Sequence, residues 1–316
     1  MDPVLLYIAA ALASTSMTYV VLRWLRAHQV LDTPNERSSH AVPTPRGGGW
    51  AILAVTLPVW LWLEPMSWPV LLGAFGLALV SWRDDRGDVG AGIRFGAQIV
   101  AVTLAFLVAP DASRLFPALP LWLDRAITAL GWLWLINLTN FMDGIDGLIG
   151  GSVAVLGATL ALALLQIDEP TRALEAALLG GAALGFTLWN WRPAKLFLGD
   201  VGSVPMGFLL GWLLLTLAGH GYRIASLLFL FYLGWDATLT LLKRAARGAT
   251  PWHAHREHLY QRATQAGLSH ARVAGAAIAV QTALGLCGAW AVAMPIPALV
   301  VASVLAVALL AWMATR

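Results

Sequence analysis

Six aspartates stand in short polar segments between long apolar stretches: Asp84, Asp85, Asp88, Asp143, Asp146 and Asp200. A single acid at the end of a helix is best explained as a solvated group or a cap. Six acids on one face would repel each other and raise each other's pKa values. A hard cation such as Mg²⁺ relieves that repulsion, because it binds oxygen ligands and is often shared with substrate phosphates. Since arginine and lysine stand in the same segments, the pattern indicates Mg²⁺-assisted phosphoryl or nucleotidyl transfer.

Two of these segments suggest how their acids are presented. In NLTNFMDGIDGL, Asn140, Asp143 and Asp146 recur every three residues, so they share one face if the helix continues that far. In FLGDVGS, Asp200 and Ser203 stand where an apolar helix begins, a position whose free N–H groups favour anions. A simple N-cap is the alternative interpretation of Asp200.

The segments RDDRGD and PRGGG add two adjacent acids and a basic loop. Asp84 and Asp85 cannot share one helix face, so one can meet metal or substrate while the other orients a neighbour. Arg46 precedes three glycines, and a plain loop is the alternative interpretation of that segment.

The segment HAHREHLYQR carries three histidines, His253, His255 and His258. It lacks the HExxH spacing of a zinc site, and flanking Arg256 and Arg262 favour phosphate over zinc. The remaining histidines are interpreted as ordinary loop or interface residues: His28, His40, His220 and His270.

The composition places these segments in a membrane protein. The 316 residues are 59% hydrophobic and 12% charged, with a mean hydropathy of +0.72, whereas soluble domains have about 25% charged residues. The lone Cys287 excludes a disulfide framework and a cysteine metal site. The first apolar stretch lacks a basic start, so we expect a spanning helix rather than a cleaved signal peptide.

Apolar runs predict an all-α, polytopic bundle with about eleven transmembrane helices, with ten as the alternative; the second and third are short, so their boundaries are loose. The predicted spans lie near 3–23, 47–64, 67–82, 93–109, 124–141, 147–166, 171–190, 203–219, 223–243, 271–293 and 297–314. This arrangement places sixteen of the twenty Lys and Arg residues on the face that carries the C-terminus. The positive-inside rule then puts the N-terminus outside and the C-terminus in the cytoplasm. All the polar segments above fall on the cytoplasmic face, so residues 1–316 are predicted to be one transmembrane domain whose active site is formed by cytoplasmic loops.

Asp236 differs from the other acids because it lies inside a predicted span. An ionisable group at the centre of a spanning helix costs about 2.5–3.5 kcal/mol on insertion scales. We therefore expect Asp236 to face the bundle, either paired with a basic group or packed structurally near the site.

In this order, the segments resemble the integral-membrane polyprenyl-phosphate N-acetylhexosamine-1-phosphate transferases, relatives of phospho-MurNAc-pentapeptide transferase. The resemblance covers nearly the whole chain. It is carried by DTPNERSSH, PTPRGGG, DD with a following IRFGAQ, NLTNFMDGIDGL, NWRPAKLFLGDVGS, Asp236 and HREHLYQR.

The resemblance implies transfer of a sugar 1-phosphate from a UDP-sugar to a polyprenyl phosphate, with release of UMP and a requirement for Mg²⁺ or, alternatively, Mn²⁺. It implies a metal site at Asp200 and Asn140. It implies catalytic roles for Asp84, Asp85, Asp143 and Asp146. The implied substrate-binding residues are Asn190 and Phe197 near the uracil, Arg94 near the phosphates, Arg46, and His255, Arg256 and His258 in a sugar and pyrophosphate loop.

The expected partners are undecaprenyl phosphate in the bilayer, a UDP-N-acetylhexosamine from the cytoplasm, and a second copy in a homodimer, but no nucleic acid. The expected location is the bacterial inner membrane, with the active site facing the cytoplasm. Because HAHREHLYQR departs from the histidine run of the peptidoglycan branch, the resemblance favours the O-antigen or surface-polysaccharide branch. GlcNAc, FucNAc and QuiNAc all remain open as the sugar.

Two other classes of membrane protein share some of these features. An intramembrane prenyltransferase also uses Asp-rich motifs, and NFMDGID matches NxxDxxD, but the third acid of that pattern is missing. A transporter would carry polar groups at the bilayer midplane on several helices, whereas here they stand at helix ends with Asp236 as the main exception.

Overall fold

The computed structural model describes residues 1–33, 42–87, 89–110, 113–249 and 255–315. In those ranges the chain forms thirteen α-helices, a 3-10 helix (Pro65–Ser67) and two short antiparallel strands, β1 (Leu31–Asp32) and β2 (Thr44–Pro45). The helices are α1 (Pro3–Ala27), α2 (Gly49–Leu63), α3 (Trp68–Arg86), α4 (Ala91–Phe106), α5 (Leu121–Phe141), α6 (Leu148–Leu165), α7 (Pro170–Asn190), α8 (Asp200–Gly219), α9 (Arg223–Leu228), α10 (Phe231–Ala246), α11 (Leu259–Gln265), α12 (His270–Trp290) and α13 (Pro295–Ala314).

Every predicted span coincides with helix, so the helical class is confirmed, apart from the small β1–β2 pair. Six helical segments of the described chain are long and apolar enough to cross a membrane: Pro3–Ala27, Pro65–Arg86, Leu148–Leu165, Asp200–Gly219, His270–Trp290 and Pro295–Ala314. They fit a polytopic helical membrane protein. The number of eleven spans and the orientation of the termini stay predictions.

The ninth predicted span, 223–243, is two helices rather than one. It breaks between α9 and α10, and the carbonyl of Phe229 at the break accepts a hydrogen bond of 2.9 Å from Gln281 Nε2 of α12. Backbone groups released by a break at membrane depth must find partners within the protein. The fully buried Gln281 side chain supplies such a partner, and this explains how an uninterrupted apolar run tolerates a broken helix.

Helix α8 lies at the centre of the bundle, because 94% of its 18-residue apolar stretch is buried inside the protein. Its first turn crosses the first turn of α2 so closely that a Cβ on Gly49 would collide with the backbone of Gly202. The last glycine of PRGGG therefore brings the loop containing Arg46 against the start of α8, where Asp200 lies.

An amide pair joins α4 to α5. Asn137 Nδ2 donates to Gln98 Oε1 (2.7 Å), and Gln98 Nε2 donates to Asn137 Oδ1 (3.3 Å). Interhelical hydrogen bonds of this kind contribute about 1 kcal/mol in membranes. We expect Gln98→Leu to lower the Tm of the detergent-solubilised protein by about 2 °C.

The matched control for that variant is Thr103→Val on the same helix, because the only hydrogen bond of the Thr103 hydroxyl to a described residue goes to the carbonyl of Ile99 in its own turn. Equal Tm values for the two variants would contradict the stabilising role of the amide pair.

Candidate active site

The loop before α2 lies along the segment before α8. The Phe197 N–H donates to the Pro45 carbonyl at 2.8 Å, and the Phe197 carbonyl accepts from Gly47 and Gly48 at 3.1 and 2.9 Å. Arg46 and Phe197 form the bridge at the centre of this pairing. Two segments 150 residues apart thus meet, and the Arg46 side chain is delivered to the start of α8.

Arg46 joins two of the predicted site acids. Its Nη2 lies 2.9 Å from Asp85 Oδ1 and 3.0 Å from Asp200 Oδ1, and its Nη1 lies 3.8 Å from Asp32 Oδ2. Burial opposes the charged form, but the neighbouring carboxylates, Asp85 foremost, outweigh it and raise the pKa of Arg46 above its ordinary value. Arg46 is therefore a permanent cation between acids.

Asp85 holds the beginning of α8. Its side chain is about 1% exposed, and its two oxygens accept the backbone N–H groups of Asp200 and Val201, both at 3.1 Å. The first N–H groups of a helix lack partners within the helix, and a carboxylate there also interacts favourably with the helix dipole. Asp85 thus acts as a cap supplied by another helix. The catalytic role implied for it by the resemblance stays a prediction.

Asp84 points elsewhere, as adjacent residues on a helix must. Its Oδ2 lies 2.7 Å from Arg94 Nη1, and its Oδ1 accepts the Val89 N–H at 3.0 Å. Asp84 therefore orients Arg94, whereas the adjacent Asp85 contacts the start of α8.

A cavity of about 290 Å³ lies among α3, α4, α5 and α8. Its polar lining residues are Ser81, Arg94, Gln98, Asn137, Asn140 and Asp200. Its apolar lining residues are Leu77, Val80, Ala91, Phe95, Phe141 and Val204. Arg94, Asn140 and Asp200 lie at helix ends, whereas apolar Leu77, Val80 and Val204 lie further along their helices, beside the Gln98–Asn137 amide pair. The cavity is therefore charged at its rim and has a mixed lining with an apolar wall beyond it. Such a cavity suits an amphiphile with an anionic head.

Asn140 and Asp200 are the predicted metal ligands, and Asp143, predicted as catalytic, interacts electrostatically with Asp200 and is added here to the candidate metal site. Asn140 Nδ2 donates to Ser203 Oγ at 3.0 Å, which leaves the amide oxygen without a hydrogen bond in the described part of the chain. Burial and then the charge of Asp200 raise the pKa of Asp143 well above its usual range. That shift indicates an acidic pocket that a cation would stabilise.

These oxygens fit Mg²⁺ only in part. Across the described ranges, no group of three or more His, Cys, Asp or Glu side chains is placed to hold a metal ion by itself. Mg²⁺ is commonly bound through one or two carboxylates plus substrate phosphates. The donor set therefore fits a cation whose coordination the substrate completes.

Asp146 does not share a helix face with Asp143, because α5 ends at Phe141. Its Oδ2 accepts the Ala194 N–H at 3.2 Å, and its Oδ1 lies 3.5 Å from His270 Nδ1. Burial opposes ionisation, but His270, Ala194 and Arg192 outweigh it and lower the pKa of Asp146. The sequence interpretation of His270 as an ordinary residue missed this contact, which joins α12 to the loop after α5.

Asn190 also connects two loops. Its Oδ1 accepts the Gly147 N–H at 2.8 Å, and its Nδ2 donates to the Leu196 carbonyl at 2.9 Å. The side chain is buried, so both ends of the amide are engaged within the protein. The contacts of Asn190 and Phe197 with uracil stay predictions.

The C-terminal loop reaches the site through His258. The buried imidazole lies parallel to the Phe141 ring at 6.5 Å and to the Tyr260 ring at 5.8 Å. The His255 ring lies 4.8 Å from that of His258. Arg256 lies apart, in a groove of about 660 Å³ that also contains basic Arg262. The structure thus brings His258 to the end of α5 but not Arg256; His253 and Asp88 lie outside the described residues.

The surroundings of His258 predict acid sensitivity. Burial and then His255 lower its pKa to about 4, against about 6.5 in an unfolded chain. As the pH falls through this window the unfolded state binds the proton first, so stability present above about pH 6.5 is lost. Between about pH 7 and pH 5 the loss through His258 is on the order of 2 kcal/mol. We expect His258→Phe to reduce the fall in Tm over that range, whereas His28→Phe should keep the wild-type fall; equal falls in all three proteins would contradict this assignment.

Apolar helices whose ends bring acids and arginines together beside a cavity define a polytopic helical membrane protein with a charged candidate site. Residues 67–218 match the profile of glycosyl transferase family 4. Decaprenyl-phosphate N-acetylglucosaminephosphotransferase of Mycolicibacterium smegmatis is 30% identical over 312 residues, covering 83% of this chain and 76% of that protein. A probable undecaprenyl-phosphate N-acetylglucosaminyl 1-phosphate transferase of Bacillus subtilis is 26% identical over 84% of this chain and 78% of that protein.

A third relative belongs to the peptidoglycan branch. Phospho-N-acetylmuramoyl-pentapeptide-transferase of Pelobacter propionicus is 31% identical over 68% of this chain and 73% of that protein. The chain belongs to glycosyl transferase family 4, among the polyprenyl-phosphate sugar-phosphate transferases, which confirms the resemblance found in its motifs.

Proposed function

We propose that the chain transfers an N-acetylhexosamine 1-phosphate from a UDP-sugar to undecaprenyl phosphate, giving a polyprenyl-diphosphate-linked sugar and UMP. The names of the relatives support this reaction class. The observation that carries the proposal is the cavity whose rim holds Arg94, Asn140 and Asp200 and whose wall further along the helices includes Leu77, Val80 and Val204.

The cavity is the proposed acceptor site. Arg94 would meet the lipid phosphate in a charge-assisted contact, while Leu77, Val80 and Val204 would contact the first isoprene units. Because the lipid chain comes from an equally apolar bilayer, these contacts would orient the chain by packing, and the affinity would come mainly from the phosphate head. Asp84 would keep Arg94 oriented through its 2.7 Å contact.

The acids near the rim are the proposed donor side. Asp200, Asp143 and the amide oxygen of Asn140 would hold Mg²⁺, or Mn²⁺ in its place. When bound, the cation would offset charge on the pyrophosphate of the UDP-sugar. Arg46 and Asp85 keep Asp200 in place without the cation, because their contacts are made within the protein.

The chemistry needs little from the protein beyond placement and charge. An oxygen of the lipid phosphate forms a bond to the β-phosphorus, and the bond from that phosphorus to the bridging oxygen breaks, so that UMP leaves with the electron pair. A phosphate monoester is already a nucleophile near neutral pH, and deprotonation by a side chain would help only modestly. Positioning and electrostatic stabilisation should dominate, which suits a site where most acids are fixed by neighbours.

The proposed setting is the cytoplasmic face of a bacterial inner membrane. The excess of Lys and Arg on the face that carries the polar segments supports this orientation. The product would initiate synthesis of an O-antigen-like surface polysaccharide. The proposed enzyme is a homodimer.

The experiment uses purified protein, undecaprenyl phosphate, Mg²⁺ and a panel of UDP-sugars, with UMP release as the measurement. We expect UMP only with a UDP-N-acetylhexosamine and only when the lipid phosphate is present. Asp168→Asn, in the loop between α6 and α7 at the opposite end of α6 from the site, should keep full activity. Absence of UMP with every UDP-N-acetylhexosamine, from folded protein supplied with metal, would overturn the proposal.

A further inference from the structure

We propose that Asp236 and Tyr260 are positioning residues that hold the loop between α5 and α6, the loop that carries Asp143. The inference rests on the proposed function for its catalytic consequence, but the contacts themselves do not depend on it.

Asp236 is a fully buried residue of α10, and its carboxylate accepts hydrogen bonds from the backbone of α11. Its Oδ1 accepts the Leu259 N–H at 2.8 Å, and its Oδ2 accepts the Tyr260 N–H at 3.2 Å. The Thr240 hydroxyl adds a contact of 3.4 Å to Oδ1. A buried carboxylate is costly, and here the cost is offset mainly by these amides, which fixes where α11 begins.

Tyr260 carries the connection from α11 to the catalytic loop. Its ring is fully buried, and its hydroxyl donates to the Phe141 carbonyl at 2.9 Å. Gly144 passes so close that a Cβ there would collide with the Tyr260 hydroxyl. The phenol therefore touches the loop on both sides of Asp143.

The residue types fit this task. Two N–H donors need two acceptor atoms, and a carboxylate offers two where an asparagine offers one and presents an NH₂ group to the other donor. Asp85 makes the same kind of contact, because its two oxygens accept the first N–H groups of α8. The starts of α8 and α11, which both adjoin the candidate site, are thus each capped by a carboxylate from a different helix.

The consequence for catalysis is positional. Phe141 ends α5 between Asn140 and Asp143, so loss of the Tyr260 hydroxyl would free both proposed metal-site residues to move. A displacement of about 1 Å in a catalytic group can cost about 100-fold in rate. Neither Asp236 nor Tyr260 needs to touch the substrate for this effect.

The test measures amide hydrogen exchange by mass spectrometry together with kcat in Tyr260→Phe and Asp236→Asn. Removal of one net hydrogen bond should raise exchange in residues 142–147 about fivefold in Tyr260→Phe, with kcat about tenfold lower and exchange in α12 unchanged. In Asp236→Asn, exchange should also rise in residues 259–265. Tyr232→Phe is the matched control, because Tyr232 is an equally buried tyrosine of α10 whose hydroxyl makes no hydrogen bond to the described residues.

Unchanged exchange at 142–147 in Tyr260→Phe would overturn the inference, even if kcat fell. So would an equal rise in exchange in Tyr232→Phe. If wild-type protein releases no UMP while the exchange pattern is as expected, the proposed function fails and the positioning contacts stand.

Discussion

Asp200→Asn is expected to lower the rate of UMP formation about 10³-fold and to abolish Mn²⁺ binding measured by electron paramagnetic resonance. Asp200 stands at the start of α8, lines the cavity and contacts Arg46 at 3.0 Å. Asparagine keeps the volume and can still accept that hydrogen bond, so the fold should survive. What is lost is the negative charge that the proposed cation requires.

The control for this variant is Asp168→Asn, which removes an acid from a loop at the other end of α6 and should retain wild-type rates and Mn²⁺ binding. Wild-type turnover in Asp200→Asn would remove the proposed metal ligand from the account. A fall in turnover with normal Mn²⁺ binding would likewise contradict the assignment of Asp200.

Asp85→Ala is expected to lower both stability and activity, since it removes a structural contact rather than a reacting group. The N–H groups of Asp200 and Val201 lose their acceptors, and Arg46 loses its 2.9 Å partner. Loss of a helix cap with an ion pair costs about 2 kcal/mol, or about 4 °C in Tm. Because Asp200 then shifts, kcat should fall about 100-fold.

Asp84→Ala is the matched comparison, because it removes the adjacent acid while leaving α8 capped. Arg94 would lose its 2.7 Å partner, so we expect a KM for lipid phosphate about tenfold higher with little change in Tm. A lost kcat in Asp85→Ala at an unchanged Tm would contradict the capping role. That result would instead support the catalytic role implied for Asp85 by the resemblance.

The two acids of the central motif have opposite surroundings. The pKa of Asp143 is raised by burial and by Asp200, whereas His270, Ala194 and Arg192 outweigh burial and lower the pKa of Asp146. Neighbouring carboxyl groups whose environments push their pKa values apart commonly serve different tasks. Asp143 interacts electrostatically with Asp200 and belongs with the proposed cation, while Asp146 makes contacts with the loop before α8 and with α12.

The helices were largely predictable because long apolar runs admit few other structures in a membrane. The break between α9 and α10 was not, since it depends on Gln281, a residue more than fifty positions away that satisfies the Phe229 carbonyl. α11 was missed for a related reason. Its seven residues carry no apolar run, and its start is fixed by Asp236 from a different helix.

The sequence predicted which residues lie near the site better than it predicted the contacts between them. Arg46, Asp85 and Asp200 come from separate segments, and the structure joins them through one guanidinium. Which of Asp84 and Asp85 faces α8 depends on the rotation of α3 in the bundle, which the local sequence does not encode. The contact of His270 with Asp146 likewise spans 124 residues and has no local signal.

Transfer of a sugar phosphate to a lipid phosphate is tested most directly by following the two phosphorus atoms of the donor separately. Purified protein in detergent, with undecaprenyl phosphate and Mg²⁺, would be given UDP-GlcNAc radiolabelled at either the α- or the β-phosphorus. We predict that the β-label enters the butanol-extractable lipid while the α-label is recovered in UMP. Recovery of both labels in UDP, with unlabelled sugar on the lipid, would show transfer of the sugar alone and would contradict the account.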